Sequence, residues 1–215
     1  MLRNAAGIGV AVGAYGLSFG AAAVAAGLST LQACALSLLM FTGASQFAAV
    51  GVLGAGGTAF AAVASALLLG SRNTLYAVRL ASLVPTRGLR RLLAAHLTID
   101  ESTGMATAAP PGLAAVGFWA TGASIYLLWN LSTLLGALGA ARLSDPGVLG
   151  LDAAVPAAFL ALLWPQLRDR RLVGVAVGGA LLALAAVPLT PPGVPVLLSG
   201  LAVLPVLLRR DGARP

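Results

Sequence analysis

The stretch Phe41-Thr42-Gly43-Ala44-Ser45-Gln46-Phe47 sets hydrogen-bonding side chains around a glycine, in the middle of a long apolar run. Polar groups at such a depth are costly in lipid and stand as functional candidates. A helix broken at Gly43 frees backbone groups that side chains or a water-lined cavity must satisfy. The N-terminus of the second half-helix can then hold a carboxylate. Thr42, Gly43, Ser45 and Gln46 are therefore substrate-binding candidates. The competing reading is a packing seam, with Gly43 and Ser45 letting helices approach and Gln46 bonded across it. Composition does not separate the two.

A second constellation is Leu69-Gly70-Ser71-Arg72-Asn73-Thr74-Leu75-Tyr76. Arg72 follows another apolar run, too deep for easy snorkelling. A guanidinium there can clasp a carboxylate through two parallel hydrogen bonds. Arg72, Asn73 and Tyr76 join the substrate-binding candidates. Against this stands an arginine at the cytoplasmic interface, with the span simply ending early. The acids Asp100, Glu101 and Asp152 are candidate carriers of a coupling proton. Their plainer readings are an ion pair with the Arg90-Arg91 run and, for Asp152, a helix N-cap. His96 has no second His or nearby Cys to make a metal site, so neither metal nor cofactor is expected. Enzyme chemistry is not expected either: the chain has no paired-His zinc motif, no nucleophile elbow and no phosphate-binding glycine loop.

The elements that must position these residues follow from composition. Of 215 residues, 59% are apolar and 9% charged, against about 45–50% and about 25% in a soluble domain. Mean hydropathy is +0.96. So few charges cannot wet a globule of this size, and the solvent expected is a lipid bilayer. A lone Cys34 excludes a disulfide scaffold, and the apolar content excludes disorder. The net charge of +7 comes from arginines at the edges of apolar runs. These are topology signals, not the aromatic-interleaved basic stripe of a nucleic-acid binder, and no nucleic-acid partner is expected.

From Asn4 to Ser71 no residue is charged, which at about 20 residues a crossing holds nearly three spans. Glycines near 27 and 54–57 place the turns, giving spans at 5–28, 31–54 and 58–83. A signal peptide ending at Ala23-Val24-Ala25 is the alternative for the first run, and the charge-free stretch is too long for one. Residues 87–101 read as a polar loop. Further spans are expected at 112–138 and 147–166, and 172–208 is expected as a proline-broken hairpin of two short spans. The positive-inside rule puts the arginine stretches 87–91, 168–171 and 209–214 in the cytoplasm, with the N-terminus outside. Gly136, Gly139, Gly174, Gly178 and Gly179 are expected at helix contacts. No internal repeat is visible. The fold expected is an all-α polytopic membrane protein of about seven transmembrane helices, some discontinuous, forming one transmembrane transporter domain over 1–215.

Several of these segments together resemble the AzlC family, the large subunit of bacterial branched-chain amino-acid exporters. The stretch Phe41 to Phe47 is similar to the family's small-residue motif ending in Gln-Phe. Tyr126-Leu127-Leu128-Trp129-Asn130-Leu131-Ser132-Thr133-Leu134-Leu135-Gly136 resembles its Trp-x-x-x-Thr-x-x-Gly pattern. Leu97-Thr98-Ile99-Asp100-Glu101 resembles its Leu-Thr-Asp-Glu segment with Ile99 inserted, and Gly150-Leu151-Asp152 with Pro156 and Phe159 also fits. The chain departs from the family at Gly70 to Asn73, keeping Arg72 and Tyr76 but lacking the family's Asn and His. The resemblance implies export of leucine, isoleucine and valine, sometimes methionine, across the bacterial plasma (inner) membrane, with a small AzlD-like membrane subunit as partner. With no nucleotide-binding motif, the proton-motive force is left as the energy source. The rival reading is a non-transporting membrane scaffold subunit, which would keep its polar residues at helix seams with no cavity between them.

Overall fold

The computed structural model describes residues 1–142 and 154–206. Asp145, Asp152 and the arginines of the tail lie outside the described residues. Every regular element among the described residues is a helix. Two helical stretches are long and apolar enough to cross a membrane by length and composition: Leu2–Ala25, with 24 residues, and Ala114–Ala140, with 27. The first is α1 (Leu2–Gly13) running into α2 (Tyr15–Ala25) through a helical Ala14; the second is α9.

These two pack along their whole length, and glycine is the reason. A Cβ on Gly13 would stand 2.6 Å from the Leu128 Cβ, and one on Gly16 would stand 2.5 Å from the Trp129 carbonyl oxygen. Gly20 lies against the Thr133 carbonyl, and Gly136 of α9 against the Leu17 carbonyl. Small residues that admit a neighbouring backbone drive helix association where lipid removes the hydrophobic incentive. Of the glycines expected at contacts, Gly136 is the tightest. Gly178 and Gly179 touch Ala202 and Ser199, while Gly139 and Gly174 face open space. Replacing Gly20 or Gly136 by Leu is expected to separate the two long helices. Thermal unfolding in detergent should show a loss of stability of about 1–3 kcal/mol or more, whereas Gly139→Leu should be neutral.

The expected second span is two half-helices, α3 (Thr30–Leu39) and α4 (Ala44–Gly54), separated by Met40–Gly43. Ser29 starts α3 by accepting from the Gln32 N–H while Gln32 accepts from the Ser29 N–H. The break turns at Gly43, whose φ of 62° is a region that side chains disfavour. A tight turn through Gly56 and the cap Thr58 returns the chain as α5 (Ala59–Gly70), packed on α4. α5 passes into α6 (Arg72–Leu83) at Ser71, which keeps helical angles, so the chain does not break here as it does at Gly43.

The stretch expected as a polar loop over 87–101 is helical instead. α7 (Leu89–His96) and α8 (Asp100–Thr107) are two more short helices, joined at Leu97–Ile99, and α8 packs against α6 and α9. Ser102 is buried and bonded to the backbone carbonyl of Leu97, Thr103 is buried beside it, and the exposed Thr107 Oγ1–H donates to the Thr103 carbonyl, so polarity does not force the segment into water. At eight residues each, about 12 Å of helix, neither α7 nor α8 is long enough to cross a bilayer.

Beyond the undescribed stretch, α10 (Ala154–Leu163) ends in a 3₁₀ turn, Trp164–Arg168. α11 (Arg170–Ala186) starts at Asp169, which accepts from the Arg171 N–H. After the proline-rich turn, α12 (Val194–Ser199) packs back on α11. The outward faces carry bare hydrophobic side chains, Leu39 80%, Phe60 82% and Leu189 81% exposed. Patches of that kind have no place in water and match a hydrocarbon surround.

Candidate functional site

The break in α3–α4 is satisfied on one side only. The carbonyls ending α3 are taken up by the protein: Gln46 Nε2–H donates to Leu36 (3.2 Å), Tyr126 Oη–H to Leu38 (3.3 Å) and Thr42 Oγ1–H to Met40 (3.1 Å). The Gln46 carboxamide also accepts from the Gly43 N–H at 3.1 Å. Fully buried, it staples the two half-helices together. The next N–H group, that of Ala44, has no acceptor among the described residues. It sits where the first N–H groups of any helix lack intrahelical partners and the helix dipole favours an anion.

The α7–α8 joint repeats this device with opposite electrostatics. Ser102, three residues past the N-cap like Gln46, accepts from the Ile99 N–H (3.1 Å) and donates to the Leu97 carbonyl (2.6 Å). Here the first turn brings its own acids, Asp100 and Glu101. Asp100 Oδ2 pairs with Arg72 Nη1 at 2.9 Å, both side chains about a third exposed. Tyr76, one turn further along α6, lies beside Asp100. Arg72 Nε and Asp100 Oδ1 are buried without partners among the described residues. Glu101 has no ion-pair partner among them.

Both helix ends open onto one cavity of about 120 Å³, close to the roughly 150 Å³ that accepts a benzene-sized guest. Thr42, Gly43, Ala44, Arg72, Asp100 and Glu101 give it polar groups. Its apolar walls are Val12, Phe41, Phe47, Ile125 and Trp129. An aromatic cluster fixes them: Phe19 meets Phe47 edge-on at 5.5 Å and stacks on Trp129 at 6.0 Å. Trp129 is 4% exposed, and its indole N–H has no partner among the described residues. A buried unpaired donor is rare and calls for an acceptor. His96 stands behind Phe41, their rings 6.2 Å apart, and against Tyr126 at 5.5 Å, as part of this wall.

The geometry thus brings Thr42, Gly43, Arg72, Asp100 and Glu101 to one cavity, with Gln46 as the staple behind it and Tyr76 next to Asp100. Ser45 and Asn73 face a separate, open apolar groove among α3, α4 and α5. Asp152 lies outside the described residues. Asp100 pairs with Arg72 and not with Arg90 or Arg91. Sequence reasoning passed over Trp129 and Ile125 as site residues. A signal was present: Thr121, Ile125, Trp129, Thr133 and Ala137 follow at intervals of four, and all are buried, a single face of α9 mixing aromatic and hydroxyl groups.

Neither a curated protein nor a solved structure matches the chain. A family model described as AzlC protein matches residues 7–143, which takes in the broken α3–α4 helix, the Arg72–Asp100 pair, α8 and all of α9. That is well over half of the chain and the whole of the cavity, and the chain belongs to the AzlC family.

Proposed function

We propose that the protein is the large subunit of an exporter of branched-chain amino acids, working in the bacterial inner membrane as a multi-pass chain of about seven crossings. The observation that carries this reading is the half-satisfied break of α3–α4, where an anion-attracting helix end opens into an apolar-walled cavity. A substrate carboxylate takes the Ala44 N–H and the Trp129 indole N–H. Its aliphatic side chain takes the walls of Val12, Phe41, Phe47 and Ile125. With Arg72 held by Asp100, the guanidinium organises the acidic side and is not the primary carboxylate clamp. Polar residues gathered on a cavity support transport over the scaffold reading, which would leave them at helix seams.

Export against a gradient draws on the proton-motive force, with Asp100 and Glu101 placed to carry the proton and Asp152 assigned the same role from sequence alone. One elementary charge crossing about 100 mV is worth about 2.3 kcal/mol, enough for a gradient of roughly 50-fold. Leucine, isoleucine and valine all pass, and methionine with them, because an apolar wall separates ligands differing by a methylene by only about 1–3 kcal/mol. The partner is a small AzlD-like membrane subunit, and the open groove lined by Ser45 and Asn73 leaves apolar surface for it or for lipid. The test is efflux from cells loaded with the three amino acids, expressing the chain with and without such a subunit. Efflux above the empty-vector level for the branched-chain set but not for lysine supports the reading. Efflux no higher than the empty vector for all of them overturns it, and full efflux by the chain alone removes the partner.

A further inference from the structure

The cavity holds two acids in unequal positions. Asp100 is committed to Arg72. Glu101, the next residue in the first turn of α8, is half-buried, lines the same cavity and has no ion-pair partner among the described residues. The ionisable groups facing it are Asp100 on its own helix and Arg72 and Tyr76 on α6. α9, the other helix packed on α8, carries no Asp, Glu, His, Lys or Arg along its length, and its one tyrosine, Tyr126, is engaged with Leu38. Since the one cation among the described residues of the cavity is already paired, the charge balance favours a further cation or a proton at Glu101.

We propose that Glu101 binds the substrate's ammonium group and the coupling proton in turn, so that the two compete for one carboxylate. This rests on the reading of the cavity as an amino-acid site. The α4 end and the Trp129 N–H take the substrate carboxylate; Glu101 takes the ammonium, and the cavity reads a zwitterion. A protonated Glu101 carries no charge to hold an ammonium, so each zwitterion bound displaces one proton, and each proton taken up displaces one zwitterion. Facing the cytoplasm, the site releases a proton and loads an amino acid. Facing outward, it takes a proton and discharges the amino acid. Stoichiometric exchange then follows from single occupancy, with one net positive charge moving inward per cycle.

The experiment is binding of leucine to the chain purified together with its small AzlD-like subunit, with proton release followed in weakly buffered solution. The probes are leucine and 4-methyl-2-oxopentanoate, the same skeleton without the ammonium. The parent should bind leucine about tenfold more tightly for each pH unit across the acid range, releasing close to one proton per leucine, and should bind the oxo acid at least tenfold more weakly than leucine at neutral pH. Glu101→Gln should abolish the proton release and the pH slope and bring the two ligands to similar affinity. Glu101→Asp, which keeps a carboxylate, should retain the slope at lower affinity. Leucine binding with no proton release, or an unchanged slope in Glu101→Gln, overturns the shared carboxylate and leaves the amino-acid site standing. Absence of leucine binding in the parent overturns both.

Discussion

Arg72→Gln is expected to destabilise the protein by about 1–3 kcal/mol, and Arg72→Gln combined with Asp100→Asn to recover most of that loss. The pair is 2.9 Å long and about one third exposed at each end, so it lies between two regimes. A fully exposed pair is worth roughly 0–1 kcal/mol, and removing one partner of a buried pair costs about 3–5 kcal/mol. The larger part of the single-mutant loss is the charge left behind on Asp100, whose other oxygen is already buried without a partner among the described residues. The double variant removes that charge, and its non-additivity measures the coupling. Export should respond differently: both single variants and the double should fall, because the neutral double restores packing but not the electrostatics around Glu101. A double variant exporting at the parental rate would show that the pair only joins α6 to α8.

What the sequence made legible depended on whether the partners were local. The break at Gly43 announced itself because glycine and three polar side chains interrupt an apolar run, and the staple formed by Gln46 closes within ten residues, on Gly43 and Leu36. The cavity was only half visible. Arg72 and Asp100 both stood out as charges, but their pairing depends on how α6 packs against α8, and Arg90 and Arg91 lie closer to Asp100 in the chain. The α7–α8 segment misled because average polarity hides a pattern. Leu89, Leu92 and Leu93 form one exposed apolar face, while Thr98, Ser102 and Thr103 are buried, the first two bonded to nearby backbone. Ser102 repeats the role of Gln46, and no alignment of the two segments by residue type would reveal it, since a hydroxyl and a carboxamide do the same work at the same helical position. The packing of α1–α2 on α9 was underread for a different reason. Gly9, Gly13, Gly16 and Gly20 form a stripe whose meaning depends on which helix lies against it, and α9 is more than a hundred residues further along the chain.

Gln46→Ala should abolish most export while leaving the protein in the membrane. The side chain is fully buried, accepts from the Gly43 N–H and donates to the Leu36 carbonyl. Alanine leaves the Gly43 N–H unpaired, at about 1–3 kcal/mol where water does not reach it, and takes one of two donors from the Leu36 carbonyl, which keeps the Met40 N–H. The half-helices need not unfold, because α4 still packs on α5 and Tyr126 still holds Leu38. The break relaxes instead, and the Gly43 N–H joins that of Ala44 in facing the cavity. Misplacing the anion-binding end by a fraction of the bond length should lower efflux of leucine by at least about tenfold, equivalent to about 1.4 kcal/mol, with surface expression near that of the parent. Gln46→Glu separates the staple from the charge. Glutamate can still accept from Gly43, but it places a negative charge at the helix end where the substrate carboxylate binds. Efflux should therefore fall as far as in the alanine variant or further, even though one of the two hydrogen bonds survives. Parental efflux in the glutamate variant would remove the α4 N-terminus as the carboxylate site and leave Gln46 as a purely structural staple.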